Sequence, residues 1–462
     1  MKQLTERQRN LIFINLIITG IATSMLVTAM TTALPPVVAY FGISTTTGQW
    51  LTSGYSLVMG IVMPLSAFLI KKIPTKKLYI LSIVCFIAGE IICIFAPSFG
   101  IMMTGRIFQV VGNGILTSMG QVIILSIFPK EKRGAMMGWY GLAATTAPIV
   151  APTIAGVLVD TVGWKYIFVY TMIVMIFSLI MSIVNFEDVL DVQNLSFDIS
   201  SFVLSILAFG GITLGIGNIG SYGLFHMMAW LPLLIGIIGT VCFVYRQLGL
   251  EKAFLDVRIL KNKEYALAVI SSMVLYLVMM GGSVIMPLYV QTVLGYSAVM
   301  SALVTLPGSV ATALINPVAG KIYDKMGIKK LYITGALCLL ISNIGMYFIT
   351  LSTPLAAAAI LNVLRNVSIG CLMMPFLTWG TSHVAKEKVA DASSLLTSLR
   401  TVAGSIGSAV FVAIMTYVAA NTSKHAGADA AMYGVNVAFA AMSMGTLVLL
   451  IIAVFGVWRI KK

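Results

Sequence analysis

The chain alternates between long apolar stretches and short polar or basic breaks along nearly its whole length. A helix needs roughly 20 apolar residues to cross a bilayer, and stretches of that length occur about fourteen times here. The pattern therefore predicts an all-α membrane protein with fourteen spanning helices. We place them at residues 11–34, 49–70, 78–96, 101–128, 135–158, 164–185, 199–218, 226–245, 265–290, 298–321, 330–350, 354–379, 393–419 and 435–458.

Charge is scarce and unevenly distributed. Of the 462 residues, 59% are hydrophobic and only 10% are charged, whereas about 25% of the residues in a soluble domain are charged. Most of the 29 lysines and arginines fall in breaks on one side of the predicted membrane, and the loops of the other side hold only Lys165 and Lys424. Because basic loops stay in the cytoplasm, both termini are predicted to be cytoplasmic. Anionic lipid of the inner leaflet then accounts for the net charge of +14, and no nucleic-acid partner is expected.

The familiar catalytic and cofactor signatures are missing from the sequence. Gly215, Gly217 and Gly220 form a literal GxGxxG, but they end a membrane stretch and do not join a strand to a helix, so dinucleotide binding is not expected. There is no GxSxG, HExxH or P-loop, and the five cysteines lack the spacing of metal ligands. We therefore expect neither an enzyme nor a metal site nor an organic cofactor.

The stretch from Gly105 to Gly156 carries two unusual features. Arg106 lies deep in an apolar run, and a charge in hydrocarbon is costly enough to indicate function; the alternative is an arginine that only locks neighbouring carbonyl groups. After a basic turn, small or helix-bending residues recur three, four or seven positions apart, which places them on one helical face. This face predicts a closely packed, bendable helix: Gly134, Gly138, Gly141, Pro148, Pro152 and Gly156.

An internal repeat relates the two ends of the chain. The segment PLSAFLIKKIPTKKLYI begins at Pro64, and NPVAGKIYDKMGIKKLYI contains Pro317, which aligns with Pro64 at an offset of 253 positions. At that offset KKLYI is repeated at 76–80 and 329–333. The repeat predicts an ancient duplication. We assign residues 1–190 and 262–462 to two six-helix bundles and 191–261 to two additional membrane helices with a cytoplasmic linker.

Together these segments resemble a known family. The runs QWLTSGYSLVMGIVMPLSAFL, GRIFQVVGNGIL, PKEKRGAMMGWYGLAATTAPIVAPTIAG and VADASSLLTSLRTVAGSIGSA are similar, in this order, to the fourteen-helix drug:proton antiporter branch of the major facilitator superfamily. Lincomycin-resistance and multidrug exporters of Gram-positive bacteria belong to this branch. The resemblance implies two six-helix bundles, two extra helices between them, and efflux driven by the proton gradient. It also implies a monomer in the bacterial cell membrane whose partners are protons, a small-molecule substrate and lipid.

The resemblance assigns roles to individual residues. Arg106, with Gln109 and Gly112, matches the family's fourth-helix motif, which implies a part in proton coupling. The run that contains Gly141, Pro148, Pro152 and Gly156 resembles the fifth-helix antiporter motif and implies a hinge, although Ala147 and Ala155 stand where glycine is usual.

The family's loop motif is recognisable in the second half, where Asp324 and Gly320 imply a cytoplasmic gate built on charge pairing with neighbouring helix ends. In the first half Lys71 stands at the position that corresponds to Asp324, and Pro74 replaces the second glycine. We therefore do not expect a cytoplasmic lock at the first copy.

Acidic residues are rare inside the predicted spans. Many relatives carry an aspartate in the first helix, where this chain has Leu26. Glu90 alone lies well inside a span and is the candidate proton carrier, because burial favours its neutral form. Three buried arginines against one acid favour neutral, zwitterionic or anionic ligands, provided that the arginines face the cavity. The candidate cavity residues, each of which is alternatively a helix-to-helix contact, are Gln49, Trp50, Tyr55, Gln109, Asn113, Gln121, Gln291, Asn362, Asn366, Arg365 and Arg400.

The sequence thus favours a proton-coupled secondary transporter that exports drugs or other amphipathic small molecules by alternating access. A dedicated carrier for one metabolite such as riboflavin is the alternative within transport, because the branch includes proposed riboflavin transporters. An intramembrane enzyme or a lipid-handling scaffold is the alternative from another class.

Overall fold

A computed structural model describes residues 4–48, 50–193, 197–222, 226–250, 253–422 and 427–457. Fourteen helices in these ranges are long and apolar enough to cross a membrane, as the sequence predicts. Within the described ranges no strand is present. We number the helices α1 (Glu6–Thr32), α2 (Trp50–Lys72), α3 (Thr75–Phe95), α4 (Phe99–Ile127), α5 (Lys130–Thr161), α6 (Lys165–Asn185), α7 (Ile199–Ile219), α8 (Met227–Gly249), α9 (Lys263–Val293), α10 (Val299–Met326), α11 (Ile328–Tyr347), α12 (Leu355–Ser382), α13 (Lys386–Asn421) and α14 (Ala428–Val457).

Local sequence signals set where these helices begin and end. Helix α1 starts with a capping box, in which the Thr5 hydroxyl accepts from the Gln8 amide and the Gln8 side chain accepts from the Thr5 amide. Gly163 and Gly327 have positive φ in the tight turns after α5 and α10, a backbone region that suits glycine. Helical hydrogen bonding satisfies the backbone inside the bilayer, where water is absent.

The repeated segments occupy equivalent positions in the two halves. Tyr79 of α3 lies 2.7 Å from the Thr19 hydroxyl of α1, and Tyr332 of α11 donates to the Ser271 hydroxyl of α9 at 2.7 Å. Both tyrosines are fully buried. Each half therefore uses the tyrosine of its KKLYI copy to join its third helix to its first.

The two additional helices, α7 and α8, pack against each other through glycines. A Cβ on Gly211 would overlap the backbone of Gly236, and one on Gly215 would overlap Leu233. Part of the literal GxGxxG therefore serves helix packing. Just before α7, Asp198 accepts two hydrogen bonds of 2.8 Å from Arg246, and these bonds lower the pKa of Asp198 to about 2.

The linker after α8 crosses the side of the bundle on which the chain termini lie, which we call the basic side. Phe254 stacks on Phe68 of α2 with ring centroids 5.3 Å apart, and Leu255 is buried. The neighbouring Asp256 pairs with Lys388, at the start of α13, at 2.8 Å. The linker is therefore fastened to a helix of each half.

The glycine face of α5 forms the tightest junction between the halves. A Cβ on Gly134 would overlap the Gly320 carbonyl and the Asp324 side chain, and one on Gly138 would overlap the backbone at Asn316 and Pro317. Missing side chains let α5 and α10 approach at backbone distance. The close packing predicted from the sequence is thus present at the basic end of α5.

The same prediction is wrong for Gly156 in this structure. Gly156 lies five helical turns beyond Gly138 and hence on the same face, but a Cβ there would meet no atom within 4 Å. The face that touches α10 near the basic side is uncovered towards the opposite side. The close contact with α10 that Gly134 and Gly138 make is therefore absent at Gly156.

Replacing Gly138 or Gly156 with leucine tests this geometry. Gly138→Leu should destabilise the protein by about 1–3 kcal/mol, because overpacking a tight contact forces its backbones apart. Gly156→Leu is the matched control on the same face and should melt within a degree or so of the wild type, since its surroundings are open. Thermal unfolding of the purified variants in one detergent makes the comparison. Equal melting temperatures for the two variants would contradict it.

Candidate functional site

Two latches hold the halves together at the basic side. The carboxylate of Asp324, near the end of α10, accepts hydrogen bonds of 2.7 Å from the amides of Gly134 and Ala135 in the first turns of α5. The amino-terminal end of a helix attracts negative charge. The sequence predicted a gate at Asp324, and the observed partners are backbone amides, with no side-chain cation involved in either bond.

In the second latch, the residue at the position equivalent to Asp324 is a lysine. Lys71, at the end of α2, donates to both carboxylate oxygens of Asp391 in the first turn of α13, at 2.8 and 3.0 Å. Both side chains are buried. The offset of 253 positions maps Lys71 onto Asp324, so the same position in each half contacts the facing half. The first copy therefore does form a lock, although it is not an acidic one.

Polar contacts continue from the latches towards the middle of the membrane. Gln121 of α4 accepts hydrogen bonds from Ser393 at 2.8 Å and from Thr397 at 3.3 Å, both on α13. Asn316 of α10 donates to Thr145 of α5 at 3.4 Å. Gln121 was predicted to line a cavity, and the structure places it in the contact between the halves.

Arg106 is the centre of a polar network inside the first half. It is 1% exposed and donates to Gln109 at 2.7 Å and to the Leu51 carbonyl of α2 at 3.2 Å. Its guanidinium also lies 4.5 Å from the centre of the Tyr55 ring, and Asn113 donates to the Tyr55 hydroxyl at 2.7 Å. Four residues singled out in the sequence are thus brought together, and Arg106 does lock a carbonyl of a neighbouring helix.

Glu90 lies apart from this network. It is fully buried on α3, and within the described ranges neither carboxyl oxygen has a hydrogen-bond partner. Its polar neighbour is Thr171 of α6, whose hydroxyl donates to the carbonyls of its own helix. Cys93 separates Glu90 from the arginine network and accepts a hydrogen bond from Gln109 at 3.6 Å. A carboxyl group in such surroundings is costly to ionise.

In the second half, two of the five candidate cavity residues hold helices together. Arg365 of α12 donates to the carbonyls of Val278 and Met279 on α9 at 2.9 and 2.6 Å. Asn366 accepts from Thr312 of α10 at 3.0 Å. Asn366 also donates to the carbonyl of Asn362, but both of these residues lie on α12. Arg365 and Asn366 therefore act as helix-to-helix contacts, which was the alternative for each.

The remaining candidates are more varied. Gln291, at the end of α9, is exposed, and Trp50, at the start of α2, is 42% exposed. Gln49 lies outside the described residues. Arg400 of α13 is 5% exposed and lies 4.9 Å from the centre of the Tyr276 ring of α9. Its Nε and Nη1 are both buried without a hydrogen-bond partner within the described residues, whereas Arg365 leaves only its Nε in that state.

The predicted hinge prolines lie where α5 leaves its partner. Pro148 and Pro152 are inside α5, beyond the Asn316–Thr145 contact and before the uncovered Gly156. Proline removes a backbone hydrogen bond and weakens the helix locally. Their position fits a bend between the tightly packed end of α5 and its open end.

Sequence reasoning missed the partner of Lys71. The repeat offset did identify Lys71 as the counterpart of Asp324, but Asp391 lies far away in sequence. A partial signal was available, because Asp391 stands near the start of α13 as Gly134 and Ala135 stand near the start of α5. The offset places Glu387 and Lys388 opposite those two residues, so it would have pointed to this helix end and not to Asp391 itself.

Comparison with known proteins identifies the family to which the chain belongs. The sequence profile of the Major Facilitator Superfamily matches residues 12–408. The uncharacterized MFS-type transporter YcnB of Bacillus subtilis is 32% identical over 421 residues, which cover 91% of this chain and 89% of the relative. The lincomycin resistance protein LmrB of the same organism is 32% identical over 409 residues, or 87% and 85% of the two chains.

More distant similarities agree in fold. The riboflavin transporter RibZ of Clostridioides difficile is 26% identical over 383 residues, which cover 82% of each chain. The crystal structure of the human organic anion transporter MFSD10 superposes with a TM-score of 0.66 at 11% identity, covering 96% of this chain and 100% of the other. The family match, the relatives and the fourteen membrane helices lead to one conclusion: this chain is a multi-pass membrane transporter that belongs to the major facilitator superfamily.

Proposed function

We propose that this chain is a proton-coupled secondary transporter that exports drugs or other amphipathic small molecules from a bacterial cytoplasm. One observation carries the proposal: the two halves are latched at the basic side, while the same face of α5 is uncovered at Gly156 towards the other side. This asymmetry is what alternating access requires of one end state. The names of LmrB and of the mycobacterial multidrug resistance protein B homologues favour drugs as substrates.

The charge distribution assigns a direction to this state. Basic loops mark the cytoplasmic side, so the latched side faces the cytoplasm, both termini are cytoplasmic, and the cleft opens outwards. For an exporter, this is the state that releases substrate. Loading requires that both latches open and that α5 and α10 come together beyond the prolines instead.

A dedicated carrier for one metabolite is the second candidate. The similarity to RibZ favours it, at lower identity than the similarity to LmrB. Fold alone does not separate the two functions.

Proteoliposomes that contain a pH-sensitive dye provide the main test. Lincomycin, riboflavin and several unrelated amphipathic compounds are added in turn, and empty liposomes serve as the control. Proton movement with several unrelated compounds would support drug export. A response to riboflavin alone would favour the dedicated carrier, and transport without proton movement would refute the coupling.

The first variant series concerns Arg106. Arg106→Ala should reduce uphill transport by at least about tenfold, because removing a charged hydrogen-bond donor from a buried site leaves Gln109 and the Leu51 carbonyl without a partner. Arg106→Lys retains the charge but loses the two-pronged geometry and should be intermediate. Transport rates normalised to the amount of inserted protein make the measurement. Near-normal uphill transport by Arg106→Ala would remove this residue from the mechanism.

Glu90→Gln separates proton coupling from substrate movement. If Glu90 carries the proton, the variant should lose uphill transport and should retain exchange of substrate down its own gradient, since glutamine resembles the protonated acid. Both rates are measured in the same vesicles. Unchanged uphill transport at every pH would place the proton site elsewhere.

The Lys71–Asp391 latch makes a prediction about conformation. Lys71→Ala leaves Asp391 buried without a partner, and breaking a buried pair in this way costs about 3–5 kcal/mol. The basic side should therefore open more often. Thr397→Cys, in a background without native cysteines, reports opening as faster labelling by a maleimide, because Thr397 is buried beside Gln121 when this side is closed.

An apolar pair at the same two positions is the matched control. Lys71→Met combined with Asp391→Leu removes both charges, so no charge is left uncompensated, and labelling should return towards the wild-type rate. Equal labelling in the wild type and in Lys71→Ala would show that the pair does not hold the gate.

A further inference from the structure

Arg106, Arg365 and Arg400 lie away from the ends of their membrane-spanning helices. Arg106 donates to Gln109 and to the Leu51 carbonyl, and Arg365 donates to two carbonyls of α9, while the Nε of each makes no hydrogen bond within the described residues. Arg400 differs in degree, because both its Nε and its Nη1 are buried there without a hydrogen bond. Arginine carries five N–H donors and keeps its charge. Leaving such a group buried and unsatisfied is expensive.

Arg400 follows the closed contact between the halves along α13. Ser393 and Thr397, which contact Gln121, precede it by seven and three residues, so all three share one face of α13. Arg400 is therefore the next position on that face beyond the closed contact. The regular α-helical part of α13 begins at Val389, and Arg400 lies about 16 Å further along the helix axis. That distance is roughly half the thickness of the hydrocarbon core.

An aromatic ring packs against the guanidinium. The Tyr276 ring of α9 has its centre 4.9 Å from the guanidinium carbon. One turn further along α13, the absence of a side chain at Gly404 makes room for Met280 and Tyr276. The charge thus lies beside an apolar and aromatic wall.

No carboxylate of the described helices is placed to neutralise Arg400. Glu90 is enclosed in the first half between α3 and α6, Asp324 is bound to the start of α5, and Asp391 is paired with Lys71. A central cation with free donors and no protein counter-ion fits an anionic group that comes from outside the protein.

We propose that Arg400 binds the anionic group of an amphipathic organic anion or zwitterion, with Tyr276 and Met280 contacting the apolar part of the ligand. This inference rests on the proposed transport function and specifies the substrate class. Arg106 and Arg365 have structural partners and do not share this role. A carboxylate suits Arg400, since guanidinium and carboxylate form paired, charge-assisted hydrogen bonds.

Equilibrium binding to the full-length protein in lipid nanodiscs tests the inference without any proton gradient. The probes are 2-naphthoate and 2-naphthamide, which match in shape and differ in charge, and binding is measured by calorimetry against empty nanodiscs. The wild type should bind naphthoate at least about tenfold more tightly than naphthamide, as expected for a hydrogen bond to a charged group.

Two variants of Arg400 and one neighbouring control complete the design. Arg400→Gln should weaken naphthoate binding about tenfold and leave naphthamide binding within about twofold, whereas Arg400→Lys should retain a preference for the acid. Thr401→Ala, at the next position, should behave like the wild type. If Arg400→Gln does not fold, the ratio of the wild-type affinities for naphthoate and naphthamide, together with the same ratio for Arg400→Lys, still tests whether the site binds an anion.

Several outcomes would overturn the proposal. Equal wild-type affinities for acid and amide, or absent naphthoate binding, would exclude an anion site. Parallel loss of both probes in Arg400→Gln would show a role in packing only. Full displacement of naphthoate by an equal concentration of chloride would assign the site to inorganic anions. Because binding is measured without flux, a failed proton assay with intact naphthoate binding refutes the coupling and not this site.

Discussion

The backbone contact between α5 and α10 is the constraint on which the rest of this architecture depends. Side chains are missing at Gly134, Gly138 and Gly320, so the two helices approach more closely than larger residues would allow. This approach brings the Asp324 carboxylate within hydrogen-bonding distance of the α5 amides. The closed contact on the basic side is therefore a consequence of this packing, and the same face of α5 is uncovered at Gly156.

Burial of charge follows a consistent rule across the molecule. At the two latches near the basic side the charges are paired, either with backbone amides, as at Asp324, or with an opposite charge, as at Lys71 and Asp391. Deeper in the membrane, Arg106 and Arg365 bind amide or carbonyl oxygens of their own half. Since unpaired charge is costly in this environment, the exceptions at Glu90 and Arg400 distinguish these two residues from the structural ones.

The sequence was sufficient for the fold because hydropathy and topology act over long segments. Fourteen apolar stretches predicted fourteen helices, and the KKLYI repeat predicted positions that Tyr79 and Tyr332 indeed share. Side-chain roles were harder to predict, because they depend on which face of a helix meets which neighbour. Gln121 contacts α13, Asn366 holds α12 to α10, and Gly156 is uncovered, and no local pattern distinguishes these outcomes. The partners of Gln121 and Asn366 are 272 and 54 positions away in the chain.

The linker that follows the additional helices gives them a mechanical part in the cycle. Phe254 rests on α2 and Asp256 is bound to the start of α13, so one short segment touches both halves across the closed gate. The halves cannot separate on this side unless the Phe254–Phe68 contact or the Asp256–Lys388 ion pair breaks. Because an extended chain reaches only about 3.4 Å per residue, the segment between the two attachments is too short to follow a wide opening. The linker thus ties α7 and α8 to both halves. When the halves separate on this side, α7 and α8 must stay attached to one half and move relative to the other.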